Sequence, residues 1–363
     1  MIKFAFVIHP LDAADIASKY KIARYLPRRV VESIIRLAPP VKVSSITGVQ
    51  SPYGRSEGWL VAVPLTAGQM LNLPESFVTG RIIRAGRLAE KLGAGIVGLG
   101  SLASVAGDAG YTADRSLGIA VTTGSSYNLA AALEGIREAA LLMGHNPKTA
   151  HVVVLDAAEP AGSVLALIIA REVKRMTLVG RDKRSLQEVA GKILFDSGLS
   201  AKITCDGQEV LRAAHVVIAA SAAAGAAIGP EDLAPGAVVC DLALPGGVGR
   251  RVAEVRDEVL VIEGGVVAVP GDVNFNFNLG LPSGTACPRM AETMILAMEG
   301  RCESYSLGAR ISVRQVEEMA ALAKKNGFRL AGLRSFGRFM AFAEVANVKA
   351  KALEKGLGWC KSG

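Results

Sequence analysis

Two short segments of this 363-residue chain concentrate side chains that could do chemistry. In Cys287-Pro288-Arg289 a thiol lies two residues before a guanidinium at the start of a predicted helix. Proline suits the first helical position, which would put Cys287 at the N-cap, where the helix dipole and Arg289 favour thiolate. A thiolate there could take up an acyl group; the bland reading of the same residue is an inert, small side chain at a helix start. The second segment is Asp156-Ala157-Ala158-Glu159-Pro160-Ala161-Gly162, which follows the apolar run His151 to Leu155. In a strand–turn–helix of this kind, glycines let the backbone approach a dinucleotide pyrophosphate. Asp156 and Glu159 stand where a GxxGxxG pattern has its first two glycines, and only Gly162 remains. Close packing of helix on strand explains Gly162 without any ligand, and the two carboxylates also read as ligands for a cation or an amine.

Further along, Val179-Gly180-Arg181-Asp182 closes the next apolar run. Arg181 is placed to pair with the 2′-phosphate of NADP, or simply belongs to a basic turn that caps the following helix. Gly98-Leu99-Gly100-Ser101 and Thr122-Thr123-Gly124-Ser125 each end a strand, so Ser101 and Thr123 are candidates to bind a carbonyl or phosphate oxygen. Turn and capping chemistry accounts for the same residues. His9 ends the first strand, whereas His145, His151 and His215 begin strands and receive no role. The five cysteines form no CxxC pair and no regular spacing, so neither a zinc site nor a disulfide framework is expected.

The elements that must position these residues follow from periodicity. Residues 1–148 mix strands (Lys3 to Ile8, Gly58 to Pro64, Gly95 to Leu99, Ile119 to Thr122) with helices near 11–37, 76–92 and 126–143, an N-terminal α/β domain for substrate or partner. Residues 149–295 alternate apolar strands with helices, which requires right-handed crossovers and a doubly wound, Rossmann-like parallel sheet. Residues 296–363 read as helical segments packing back, with a capping box at Ser312 and Gln315 and Gly327 past a helix end. Phe336, Phe339, Phe342, Val345 and Val348 predict a basic amphipathic tail, which packs on the body or a second subunit or contacts a membrane surface through 336–355.

Composition narrows the field. Half the residues are hydrophobic and few are aromatic, which suits parallel sheets covered by helices and argues against an all-β sandwich. No run reaches a membrane span and no signal peptide is evident, so a cytoplasmic protein with free thiols is expected. The net charge of +8 steers acidic partners, yet no nucleic-acid-binding motif accompanies it.

Several segments, taken in order, resemble one family, the long-chain acyl-[acyl-carrier-protein] reductases, which are related in fold to shikimate dehydrogenase and glutamyl-tRNA reductase. They include Phe6-Val7-Ile8-His9, Ser45-Ile46-Thr47-Gly48, Gly98 to Ser101, Thr122 to Ser125, Val259 to Val266, Met290-Ala291-Glu292-Thr293-Met294 and Ile311 onward to Phe328. The resemblance covers residues 1 to about 330. It implies NADPH-dependent reduction of a fatty acyl thioester to an aldehyde through a cysteine acyl-enzyme, an acidic acyl carrier protein as partner, and possession of the Rossmann glycines. This chain departs from that pattern twice. Arg289 occupies the position before Met290 where the family has its nucleophile, with Cys287 two residues upstream, and Asp156 and Glu159 replace glycines. Two expectations follow: an NADPH-linked reductase with a displaced nucleophile, or a degenerate relative that binds or regulates without a redox cofactor. A homo-oligomer is expected in either case.

Overall fold

The structure is a computed structural model that describes residues 1–10, 25–105, 108–220, 229–242, 249–308, 311–336 and 338–359. The first part of the helix expected near 11–37 falls outside these residues, and the described part is α1 (Arg28–Leu37).

The chain divides into two compact units: residues 1–128, 268–309 and 318–329 form the first, and residues 129–267, 310–317 and 330–363 the second. The sequence reading placed contiguous boundaries at 148 and 295; the units are instead discontinuous, because the segment after Val267 returns to the first unit.

In the first unit a five-stranded sheet runs in the order β2-β3-β1-β4-β5, from β1 (Phe4–Ile8), β2 (Val41–Ser51), β3 (Gly54–Ala62), β4 (Ile96–Leu99) and β5 (Ala120–Thr122). All its pairings are parallel except β2 with β3, whose register shifts twice. Strand β2 was not anticipated, since its alternation is broken by Ser44, Ser45, Thr47 and Gly48. The helices α2 (Ala67–Asn72) and α3 (Glu75–Lys91) follow, then α4 (Ser101–Val105), α5 (Tyr111–Ser116) and the start of α6 (Ser125–Met143), which from Leu129 on belongs to the second unit. Ala5, Val7, Val61, Val97, Leu99 and Val121 form a core with Val78, Ile82, Ala85 and Ala89 of α3. On α3, Arg84, Arg87 and Lys91 are exposed, whereas Arg81 is buried and donates to the carbonyl of Ala38.

The second unit holds a six-stranded sheet built from β6 (His151–Leu155), β7 (Arg175–Val179), β8 (Lys202–Thr204), β9 (Val216–Ala219), β10 (Val238–Asp241) and β11 (Leu260–Ile262). Its order is β8-β7-β6-β9-β10-β11, every pairing is parallel, and this is the 3-2-1-4-5-6 arrangement of a doubly wound Rossmann sheet. Strands buried on both faces must be continuously apolar, and Val152, Val153, Val154, Val217, Ile218, Val238 and Val239 are all buried. Between them lie α7 (Pro160–Ile169), α8 (Lys183–Ser197), α9 (Gln208–Leu211) and α10 (Gly249–Val255).

The C-terminal third is less helical than the sequence suggests. It contains β12 (Gly265–Ala268), β13 (Thr285–Ala286), α11 (Pro288–Met298), α12 (Val313–Asn326), the antiparallel pair β14 (Arg329–Ser335) and β15 (Arg338–Phe339), and α13 (Phe342–Trp359). Phe336 and Phe339 therefore lie outside the tail helix, the first packed on the second unit's core. The helix α13 packs back through charge: Lys351 and Lys355 hold Asp257, and Lys355 also holds Glu258. The capping box forms as expected, with Gln315 N donating to Ser312 Oγ and Ser312 N to Gln315 Oε1. Gly327 takes φ +85° directly after α12. No helix among the described residues is long and apolar enough to cross a membrane.

Candidate functional site

Helix α11 starts where the sequence predicts. Cys287 is its N-cap, with extended backbone and no side-chain capping bond, and Pro288 is the first helical residue. The thiol residue is half-buried. Arg289, the second residue of the same first turn, points its guanidinium into a cluster of hydroxyl and carbonyl groups. Its Nη1 donates to Ser125 Oγ at 2.9 Å, to the carbonyl of Thr123 at 3.0 Å and to Ser104 Oγ at 3.2 Å. Burial pulls the guanidinium below its ordinary range, an effect opposed by the neighbouring Cys287 and Glu292.

The backbone explains how the loop comes so close. Gly124 has φ +70°, and a Cβ there would meet Arg289 Cα at 2.4 Å and its carbonyl oxygen at 2.5 Å. A second contact of the same kind lies beneath the helix, where a Cβ on Gly98 would meet Thr293 Oγ1 at 2.0 Å. Glycine at these two positions lets α11 lie directly on the ends of β4 and β5.

Under the loop sits Glu292, with no exposed surface. Thr122 Oγ1 donates to its Oε1 at 2.5 Å and the backbone N–H of Tyr127 to its Oε2 at 2.7 Å. Burial pushes this carboxyl up, against the hydrogen bonds from Thr122, Tyr127 and Ser306. Ser306, at φ +52°, completes the layer by donating to Ser126 Oγ at 2.7 Å and accepting from Ser126 N at 3.1 Å.

Of the residues singled out by sequence, Cys287, Arg289 and Thr123 thus meet in the first unit. The Thr123 hydroxyl is already committed, because it donates to the carbonyl of Ser306 and contacts Ser125 Oγ at 2.9 Å. Ser101 begins α4, and its side chain lies outside the described residues. His9 places Nδ1 3.1 Å from the carbonyl of Pro10. Glu292, Ser104 and Ser306 were not anticipated; Ser125 belongs to the hydroxyl run from Thr122 that the sequence singles out, and the partners that this run meets here lie more than 160 residues away.

Asp156, Glu159, Gly162 and Arg181 all lie in the second unit, at the carboxyl ends of β6 and β7. Asp156 adopts φ +48°, so it keeps the left-handed turn that a first glycine would provide; aspartate tolerates this region. Its carbonyl is the close neighbour of Gly162, where a Cβ would come within 2.6 Å, so Gly162 serves helix–strand packing. Glu159 is the N-cap of α7 with an exposed side chain and no capping bond, and Pro160 removes one amide donor from the first turn. Arg181 is exposed beyond β7, while Asp182 caps α8 by accepting from Arg184 N and Ser185 N. The turn backbone is that of a dinucleotide fold, but two acidic residues stand where the pattern has glycines. These residues do not fit a pyrophosphate in the pose that the glycine pattern serves.

Among the described residues no group of three or more His, Cys, Asp or Glu could hold a metal ion. Cys240 is wholly buried in β10, and burial pushes its thiol up to about 12.

Residues 138–262 match the model of the shikimate / quinate 5-dehydrogenase family. That stretch contains the whole six-stranded sheet, so family model and strand order agree on a shikimate-dehydrogenase-type Rossmann fold in the second unit. A curated relative, "Aminotransferase PigE" of Serratia sp. (strain ATCC 39006), is 27% identical over 370 residues, which cover 96% of this chain and 42% of the relative. The chain therefore spans about two fifths of that protein's length. Among solved structures, L-tryptophan dehydrogenase from Nostoc punctiforme is similar at 11% identity and TM-score 0.37, covering 98% of this chain and 89% of that one. Quinate dehydrogenase from Corynebacterium glutamicum, solved with NAD, is similar at 12% identity and TM-score 0.33, covering 89% of this chain and 99% of that one.

Proposed function

We propose that this chain is a non-redox relative of the dehydrogenases whose sheet it shares, a binding or regulatory module that keeps their α/β architecture without their hydride chemistry. The observation that carries this reading is Arg289. At the position where the acyl-reductase resemblance calls for a nucleophile stands a guanidinium engaged by Ser104, Thr123 and Ser125. Such a group forms no acyl-enzyme. Asp156 and Glu159, at the other position on which the chemistry depends, support the same reading through repulsion of phosphate. The test is NADPH oxidation with a fatty acyl thioester, in multiple and in single turnover. The reading expects no oxidation above the rate without protein, and any stoichiometric burst of NADP would overturn it.

A specific feature favours a second reading, an NADPH-dependent acyl-thioester reductase acting through Cys287. This thiol is the half-buried N-cap of α11 with no capping bond of its own. In this reading Cys287 receives the acyl group, Arg181 holds the 2′-phosphate, and the donor is an acidic acyl carrier protein attracted to the exposed Arg28, Arg29 and Arg36 of α1. Aldehyde production that disappears in Cys287→Ser, with the fold unchanged, would establish it, and a wild-type protein that never becomes acylated would exclude it.

A further inference from the structure

Arg289 is held as an anchored group, yet only one of its nitrogens does the anchoring. All three of its hydrogen bonds leave from Nη1. Among the described residues, Nε and Nη2 have no acceptor, and no carboxylate lies within ion-pair distance of the guanidinium. Glu292, the acidic residue nearest in sequence, is turned to Thr122 and the Tyr127 N–H. A half-buried cation with no carboxylate at ion-pair distance, offset only by the more remote Glu292, is costly, and the structure adds to the positive potential there, because the α11 N-terminus opens at the same place. The Nε–Nη2 edge is the face of a guanidinium that matches a carboxylate with two parallel hydrogen bonds. With Nη1 fixed by two serine hydroxyls and a carbonyl, and the backbone pinned by Gly124, that edge is pre-oriented and loses little freedom on binding.

We propose that Arg289 is a carboxylate receptor: the Nε–Nη2 edge binds the carboxylate of a small organic acid non-covalently, beside the Cys287 thiol. This rests on the non-redox reading and names the ligand class of the same site. A nucleophile's position has become a charge-pairing position, so a free acid, with no bond formed or broken, is what the site holds.

The test uses the full chain and three probes, acetate, butyrate and octanoate, titrated calorimetrically and by protection of Cys287 from iodoacetamide, with peptide mapping of the alkylated residue. At least one carboxylate is expected to bind with a dissociation constant below about 10 mM and to slow alkylation of Cys287 severalfold. Arg289→Lys, which keeps the charge and can still reach the hydroxyl cluster, is expected to weaken binding at least tenfold and leave the circular dichroism spectrum unchanged. Arg289→Met serves as the charge-free variant where it folds. Three results would overturn the proposal: no carboxylate binds or protects, 1-octanol binds as well as octanoate, or inorganic phosphate competes as strongly as the carboxylates. NADPH titrated into the same sample tests the underlying reading separately. Heat from NADPH with none from the acids defeats both, whereas silence from both probes defeats only the receptor.

Discussion

Replacing Glu292 by alanine should be among the most damaging single changes in the first unit, and the structure allows the cost to be worked out. The substitution removes the acceptor of two fully buried donors, the Thr122 hydroxyl and the Tyr127 N–H. A buried donor left without an acceptor costs about 1–3 kcal/mol, so the two together cost about 4 kcal/mol before any cavity is counted. A loss of that size lowers the midpoint of thermal unfolding by roughly 8–16 °C in a unit of this size. Glu292→Gln separates hydrogen bonding from charge, because the amide oxygen can still accept one of the two bonds. Burial raises this carboxyl in the folded protein, so the folded state binds the proton more tightly than the unfolded chain. The stability it contributes is therefore complete below the ordinary carboxyl range and is lost as pH rises through the raised folded value. Scanning calorimetry of wild type, Glu292→Gln and Glu292→Ala between about pH 4 and 8 should show the wild type losing stability relative to the Gln variant as pH rises. A Glu292→Ala midpoint within about 2 °C of wild type, or a relative slope of opposite sign, would refute the account of this layer.

Other expectations concern the pieces that hold the site. Gly124→Ala places a Cβ 2.4 Å from Arg289 Cα at φ +70°, so it should destabilise by about 2–4 kcal/mol and expose Cys287 to faster alkylation, measured by denaturant unfolding and thiol labelling. Cys240, with its thiol pushed up to about 12 and no exposure, should resist iodoacetamide at neutral pH while the exposed Cys205 and Cys302 react, as peptide mass mapping would show. The tail helix should loosen in acid: its two lysines hold Asp257 down to about 2, and Glu258 is also held low, by Lys355 and Arg256. A depressed carboxyl contributes stability above its unfolded value and loses it as pH falls through the folded one, so protease cleavage of α13 should accelerate below about pH 4. Lys355→Met should produce the same acceleration at neutral pH.

How much of this was legible in the sequence depends on how local the cause is. The doubly wound parallel sheet of the second unit was legible, because strands buried on both faces are continuous Val, Ile and Leu runs and the helices between them force parallel crossovers. The same logic fails for β2, an antiparallel partner of β3 whose exposure follows the bulged register, and for β14 and β15, a short antiparallel pair whose β14 also lies beside β12. At the site, Pro288 marked the helix start and so fixed Cys287 as the N-cap. The company of Arg289 could not be read, since Ser104 and Ser125 reach it across 185 and 164 residues. Asp156 shows the limit from the other side. Its replacement of a glycine was legible, but not that φ +48° would retain the left-handed turn and change only the chemistry at its rim.

The claim on which the rest depends is that the turn from Asp156 to Gly162 has ceased to accept a dinucleotide. Isothermal titration of NADPH and NADH into the full chain measures this directly. The account predicts no saturable heat at millimolar cofactor for wild type and a measurable signal for the Asp156→Gly, Glu159→Gly double variant, in which both carboxylates are gone and the left-handed turn is retained. A micromolar dissociation constant for NADPH in the unmodified protein would contradict it and restore the reductase reading through Cys287.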